Sequence, residues 1–166
     1  MTLSVSSRGL LLALAQLLLV AGIGAKLLVD RERLPRVWVE APAFDPALPI
    51  RGRYANLTLA VLPADGRTAS GAGAWFDARL EVRDGQLTAV PERGGPVLVR
   101  SQARAGAARW VLAEPALFFL PEHAADPTRR AAGEELWVEV TVPDNGPPRP
   151  IRLGVRRGAA IEPLGN

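Results

Sequence analysis

Apolar and polar residues alternate along much of the chain after residue 35. In the clearest run, 76–83, four apolar residues are interleaved with four charged ones: Phe76, Ala78, Leu80 and Val82 with Asp77, Arg79, Glu81 and Arg83. A period of two is typical of a β-strand with one buried face. Asp84 and Gly85 follow, a pair that favours a tight turn because both central residues take positive φ. We therefore predict a hairpin into residues 86–90.

Shorter apolar-rich segments predict further strands at 36–41, 55–61, 96–102, 108–113, 116–121, 135–142 and 151–156. Residues 42–49 contain three prolines and are predicted to form an extended loop. Asp126 and Pro127 resemble a helix start and Gly133 a helix stop, so they predict one short helix. The expected fold class is mainly β, an antiparallel sandwich or a small open barrel with this one short helix.

The first thirty residues follow a different pattern. Residues 9–29 are apolar apart from Gln16 and Lys26, and as a helix they would span about 31 Å, close to the hydrocarbon thickness of a bilayer. We predict a transmembrane helix before the β-rich part. The predicted organisation is a tail (1–8), a transmembrane anchor (9–29), a juxtamembrane linker (30–35) and a β-rich domain (36–166).

A cleaved signal peptide is an alternative interpretation of the same segment. Arg8 would be its basic region, and cleavage would follow Ala25. Membrane orientation is a separate question. The Lys/Arg rule keeps the more basic end inside, and the end after the helix carries four basic residues: Lys26, Arg31, Arg33 and Arg36. The charge rule therefore opposes an exported β domain.

Composition narrows the possible chemistry. The net charge is +3, and all basic residues except Lys26 are Arg, interleaved with 17 carboxylates. Four Phe and one Tyr offer little for base stacking, so nucleic acid is not an expected partner. The absence of Cys excludes disulfides, thiolate metal sites and a Cys nucleophile.

Residue types also weigh against catalysis. The single Lys, Lys26, lies in or beside the apolar helix, so a Ser/Lys peptidase is not expected. A Ser-His-Asp arrangement would need Ser70 or Ser101 to meet His123, the only His, and no motif brings them together. No carboxylate spacing matches a cation-binding loop. We predict no catalytic residue, no metal site and no cofactor.

One short basic segment stands out before the strand at 55–61. Arg51, Gly52, Arg53 and Tyr54 form a glycine-centred corner, which is interpreted mainly as a structural turn. A recognition surface or a substrate contact is the alternative. In the sharper form of that hypothesis, the side chains of four residues converge on one rim of the sheet: Asp45, Arg51, Tyr54 and Glu122.

Residues 52–59 resemble the motif of a bacterial family named GDYXXLXY. Gly52, Tyr54 and Leu57 agree with it, whereas Arg53 stands at the motif's Asp and Leu59 at its final Tyr. Three more landmarks are similar to the family's pattern: Gln16 in the apolar helix, residues 42–46 before the motif and residues 118–122 after it. The resemblance covers nearly the whole chain. Because Arg53 replaces the motif's Asp, any function of that carboxylate in the family would not carry over to this chain.

The resemblance implies a membrane-anchored domain without an established activity, often encoded beside polytopic membrane proteins. By analogy it favours a periplasmic β domain on a single-pass anchor of the bacterial inner membrane. Our first hypothesis is an accessory or interaction subunit of a membrane protein, in which Gln16, Gly22 and Gly24 contact a partner helix. The alternative is an envelope module that binds ligands or processes carbohydrate, with its site near residues 51–54.

Overall fold

A computed structural model describes residues 7–41, 43–46, 53–69, 73–104, 107–120 and 133–164. It contains one helix, α1 (Ser7–Arg33), and the strands β1 (Arg36–Glu40), β2 (Ala43–Pro46), β3 (Arg53–Thr58), β4 (Leu62–Pro63), β5 (Trp75–Arg83), β6 (Gln86–Pro91), β7 (Val97–Arg104), β8 (Ala107–Leu112), β9 (Ala116–Leu120), β10 (Glu135–Thr141), β11 (Arg149–Arg157) and β12 (Ala160–Pro163). The prediction of a mainly β fold after an N-terminal apolar helix is confirmed.

Helix α1 forms a unit of its own with the chain up to Leu34. By length and composition, its segment Gly9–Val29 could cross a membrane, with a mean hydropathy of 2.1 and exposed apolar side chains. A signal sequence would have the same properties. The helix continues to Arg33, so most of the segment predicted as a linker is helical.

The described part of the β-rich unit, Pro35–Asn166, contains three sheets. Their strand orders are β1-β10-β11-β12, β2-β3-β9 and β4-β6-β5-β7-β8. One sheet curls like half a barrel. Residues 59–61 hydrogen-bond to β8 immediately before the chain enters β4, so this stretch contacts both edges of the five-stranded sheet. All three sheets contribute to one apolar core, which includes Val39, Leu57, Val99 and Val138.

The predicted hairpin is present. Arg83 pairs with Gln86, and the turn residues Asp84 and Gly85 have φ values of 50° and 70°. Positive φ at both positions matches the right-handed twist of the flanking strands.

The strands differ from the sequence prediction at several places. Residues Ala43–Pro46 form β2 instead of a loop, paired antiparallel with β3 at a sheet edge. An edge tolerates Pro46 because a proline there removes no hydrogen bond from a central ladder. In addition, β4 pairs with β6 in parallel, which breaks the otherwise antiparallel pattern. The helix predicted near Pro127 lies outside the described residues.

The buried face of β3 generates a stability prediction. Leu57 is fully buried, whereas Leu117, on the neighbouring strand β9, is exposed. We expect Leu57→Ala to lower the free energy of unfolding by about 2–5 kcal/mol, because it leaves a cavity. Leu117→Ala should change it by less than about 0.5 kcal/mol. Denaturant titration of both variants tests this, and equal losses would contradict the assigned faces.

Candidate functional site

The predicted corner is only partly covered by the structure. Arg51 and Gly52 lie outside the described residues, and β3 begins at Arg53, which pairs with Leu120. Tyr54 pairs with Phe119, and their rings make an edge-to-face contact with centroids 5.4 Å apart. Tyr54 is therefore a sheet aromatic with a partner across the strand pair.

The predicted rim is covered at two of its four residues. Asp45 in β2 pairs with Asn56 in β3, and Asn56 also pairs with Leu117 in β9. Tyr54 is two residues from Asn56 on β3. Arg51 and Glu122 lie outside the described residues. The convergence of all four side chains therefore stays a prediction.

The outer surface of β3 and β9 carries an apolar group that we name the motif face: Tyr54, Leu117 and Phe119. Leu117 is 64% exposed, Phe119 57% and Tyr54 37%. The inner residues of the same strands belong to the core. Aromatic and large aliphatic side chains exposed together are typical of interaction surfaces.

A second site was not predicted from the sequence. A groove of about 370 Å³ lies where β1, residues 60–62 and the β5–β6 turn meet. We name it the tryptophan groove. Its lining residues are Trp38, Val39, Glu40, Ala60, Val61, Leu62, Asp84, Gly85, Gln86, Leu87 and Trp137. Tyr54 is not among them, so this groove differs from the site predicted near residues 51–54.

The indole of Trp38 is held from several sides. It lies against Gly154, where an added Cβ would be 2.8 Å from the indole Cζ3 and 2.9 Å from Cγ2 of Ile161. The Arg152 guanidinium lies 5.4 Å from the ring centroid and donates to Glu139 at 2.7 Å. The absence of a side chain at Gly154 thus makes room for the ring.

Trp137 is held in a similar way. The Arg156 guanidinium lies 4.6 Å from its ring centroid and is 2.6 Å from the Glu135 carboxylate. The same carboxylate accepts a hydrogen bond from Trp137 Nε1 at 3.3 Å. Both indoles therefore have their positions set before any ligand arrives.

The polar lining of the groove is acidic or neutral. Glu40 pairs with Arg109 on β8, with Oε1 and Nη1 2.5 Å apart. Asp84 and Gln86 are exposed on either side of Gly85. Among the described residues, no Lys or Arg side chain lines the groove.

Of the side chains considered for a Ser-His-Asp arrangement, Ser101 lies within the described residues and has a structural role. Ser101 is buried, and its Oγ accepts a hydrogen bond from the Ala74 amide at 3.0 Å. Ser70 and His123 lie outside the described residues. Within the described ranges, no group of three or more His, Cys, Asp or Glu side chains could hold a metal ion.

Three arginines near the C-terminus, Arg152, Arg156 and Arg157, are paired with carboxylates. Arg157 contacts Glu134 and Glu162, each at 2.6 Å. The hydrogen bond that Arg157 donates to the Glu134 carboxylate is the main reason that the pKa of Arg157 is raised. Together with the pairs of Arg152 and Arg156, these contacts give the sheet a balanced surface instead of a basic one.

Strand pairing explains why the sequence did not reveal the groove. Alternation separates the inner Val37 and Val39 from the outer Trp38 and Glu40, so the two outer residues could be identified. The contacts that complete the site are distant in sequence, as with Glu40 and Arg109, which are 69 residues apart. No local spacing encodes such a contact.

Comparison with family models, with curated proteins and with solved structures gives no match for this chain. The resemblance to the GDYXXLXY family therefore stays a prediction based on the quoted motifs.

The contact of Trp38 with Gly154 predicts energetic coupling. Gly154→Ala should cost about 1–3 kcal/mol of stability, because the new methyl group displaces the indole and presses on Ile161. In a protein that already carries Trp38→Ala, Gly154→Ala should destabilise less. The control background is Trp75→Ala, at an exposed indole on β5, in which Gly154→Ala should destabilise as much as it does in the wild type. Denaturation of the single and double variants measures the coupling; equal costs in both backgrounds would contradict it.

Proposed function

We propose that this protein is an accessory subunit of a bacterial inner-membrane assembly. Residues 9–29 anchor it, the β domain lies on the periplasmic side, and the motif face binds a polytopic membrane protein. The observation that carries the proposal is the exposure of Leu117 and Phe119 beside Tyr54. The apolar helix and the family resemblance support the membrane setting.

The composition of β9 supports an interface. Its sequence, Ala-Leu-Phe-Phe-Leu, is apolar on both faces, which is typical of strands covered on both sides. Leu120 is buried on the inner side, whereas Leu117 and Phe119 are exposed on the outer side. Within the described residues, the chain covers the inner side of β9 and leaves its outer side exposed. A partner would supply the missing cover and remove apolar surface from water.

The chemistry of the motif face favours a protein as the partner. Asn56, two residues from Tyr54 on β3, is half-buried and supplies a carboxamide that can hydrogen-bond on the same face of the strand. Interfaces between proteins combine such aromatic anchors with a polar rim. An anionic lipid surface would favour a cluster of Lys and Arg instead.

Substitution in the motif face tests this proposal. The full-length protein is crosslinked in its membrane and purified, and the amount of polytopic partner recovered with it is measured. We expect Leu117→Asp to reduce that amount at least tenfold. The matched control is Leu98→Asp, at an exposed leucine on β7, which should leave the partner in place. Purification without a partner, or equal recovery with both variants, would contradict the proposal.

The helix provides a separate test. Gln16 is exposed within an apolar helix, and the positions of Gly22 and Gly24 are open to close approach. A carboxamide in hydrocarbon gains from a hydrogen bond to a neighbouring helix. Gln16→Leu should therefore weaken the purified complex several-fold, whereas Gln16→Asn should weaken it less. An unchanged complex with Gln16→Leu would remove the helix from the interface.

A further inference from the structure

We propose that the tryptophan groove binds a neutral saccharide. This site is separate from the motif face, and the inference does not depend on the proposed accessory function.

The shape of the groove suits a small ligand. Its volume of about 370 Å³ falls in the usual range for ligand sites, about 300–1,000 Å³. An edge strand and a tight turn form two of its sides, and the apolar residues 60–62 lie between them. A few polar groups on a mainly apolar surface can orient a ligand within it.

The charges at the groove disfavour an anionic ligand. Glu40 and Asp84 both contribute carboxylates, and Gln86 is the remaining polar side chain. No Lys or Arg among the described residues lines the groove, and the nearby Arg109, Arg152 and Arg156 are already paired with carboxylates. A phosphate or carboxylate would therefore have no free cation to pair with.

A cationic ligand is disfavoured for a different reason. Arg109 already pairs with Glu40, and Arg152 and Arg156 already lie over the two indoles. A ligand ammonium group would therefore compete with Arg109 for the Glu40 carboxylate, and the two guanidinium groups at the indoles would repel it.

A neutral sugar fits both the charges and the aromatic residues of the groove. The apolar face of a pyranose ring can pack on an indole, as other apolar groups do. Its hydroxyl groups can donate to the carboxylates of Glu40 and Asp84, and the Gln86 carboxamide can both donate and accept. Because Trp38 and Trp137 are already held in place, less conformational entropy is lost when a ligand binds.

The test uses the full-length protein in lipid nanodiscs, since alkyl glycoside detergents carry sugar headgroups that would compete. The probes are the neutral oligosaccharides maltotetraose, cellotetraose and tetra-N-acetylchitotetraose, with choline and inorganic phosphate as charged comparisons. Binding is followed by tryptophan fluorescence and by equilibrium dialysis. We expect at least one oligosaccharide to bind with a Kd below about 1 mM, which is about −4 kcal/mol, and neither charged probe to bind.

Two groove variants and two controls locate the binding. Leu62→Arg, at an exposed lining residue, and Gln86→Ala, beside the turn, should each weaken saccharide binding at least tenfold. Leu98→Arg and Trp75→Ala, at exposed residues outside the groove, should leave it unchanged. Absence of binding by all three oligosaccharides, tighter binding of choline or phosphate, or binding that survives both groove variants would overturn the proposal. If the protein binds a sugar but no membrane partner is recovered with it, the proposed accessory function fails and the saccharide site stands.

Discussion

The β-rich unit depends on one stretch of chain that is shared by its sheets, residues 53–63. Its first part, β3, lies between β2 and β9. Its middle hydrogen-bonds to two other sheets: the Ala60 amide donates to the Glu40 carbonyl, and the Val61 amide donates to the Trp110 carbonyl. Its last part, β4, pairs with β6. Since buried amides and carbonyls must find partners, this shared stretch fixes how the sheets meet.

Both candidate sites are consequences of this arrangement. The shared stretch places Tyr54 on the motif face at its start, and Ala60 and Leu62 in the tryptophan groove near its end. Between them, Leu57 and Leu59 are fully buried in the core. The segment that resembles the GDYXXLXY motif thus has a clear structural role, because its inner leucines join the sheets. A change in the core of this stretch would disturb both surfaces, whereas changes on either surface need not disturb the core.

Local patterns predicted the strands well, and long-range pairing could not be predicted. The alternation at 76–83 and the Asp84-Gly85 turn are properties of neighbouring residues, and both appear in the structure. The three prolines in residues 42–49 indicated a loop, although an edge position allowed Ala43–Pro46 to form a strand. Placement of the Trp38 ring against Gly154 depends on the order of β1, β10 and β11, which no single segment contains.

The ion pairs beside the two indoles affect geometry more than stability. Arg152 with Glu139 and Arg156 with Glu135 join neighbouring strands, and both arginines are partly exposed. An exposed pair such as Arg156 with Glu135 contributes about 0–1 kcal/mol, so it explains little of the fold's stability. Glu139 is itself buried, so its pair with Arg152 mainly compensates a carboxylate that would otherwise be left uncompensated. Each guanidinium, held by its carboxylate, lies over an indole and restricts its rotation. Because each positive charge is matched by a negative one, this surface offers a ligand rigid aromatic rings with little net charge, which favours neutral ligands over charged ones.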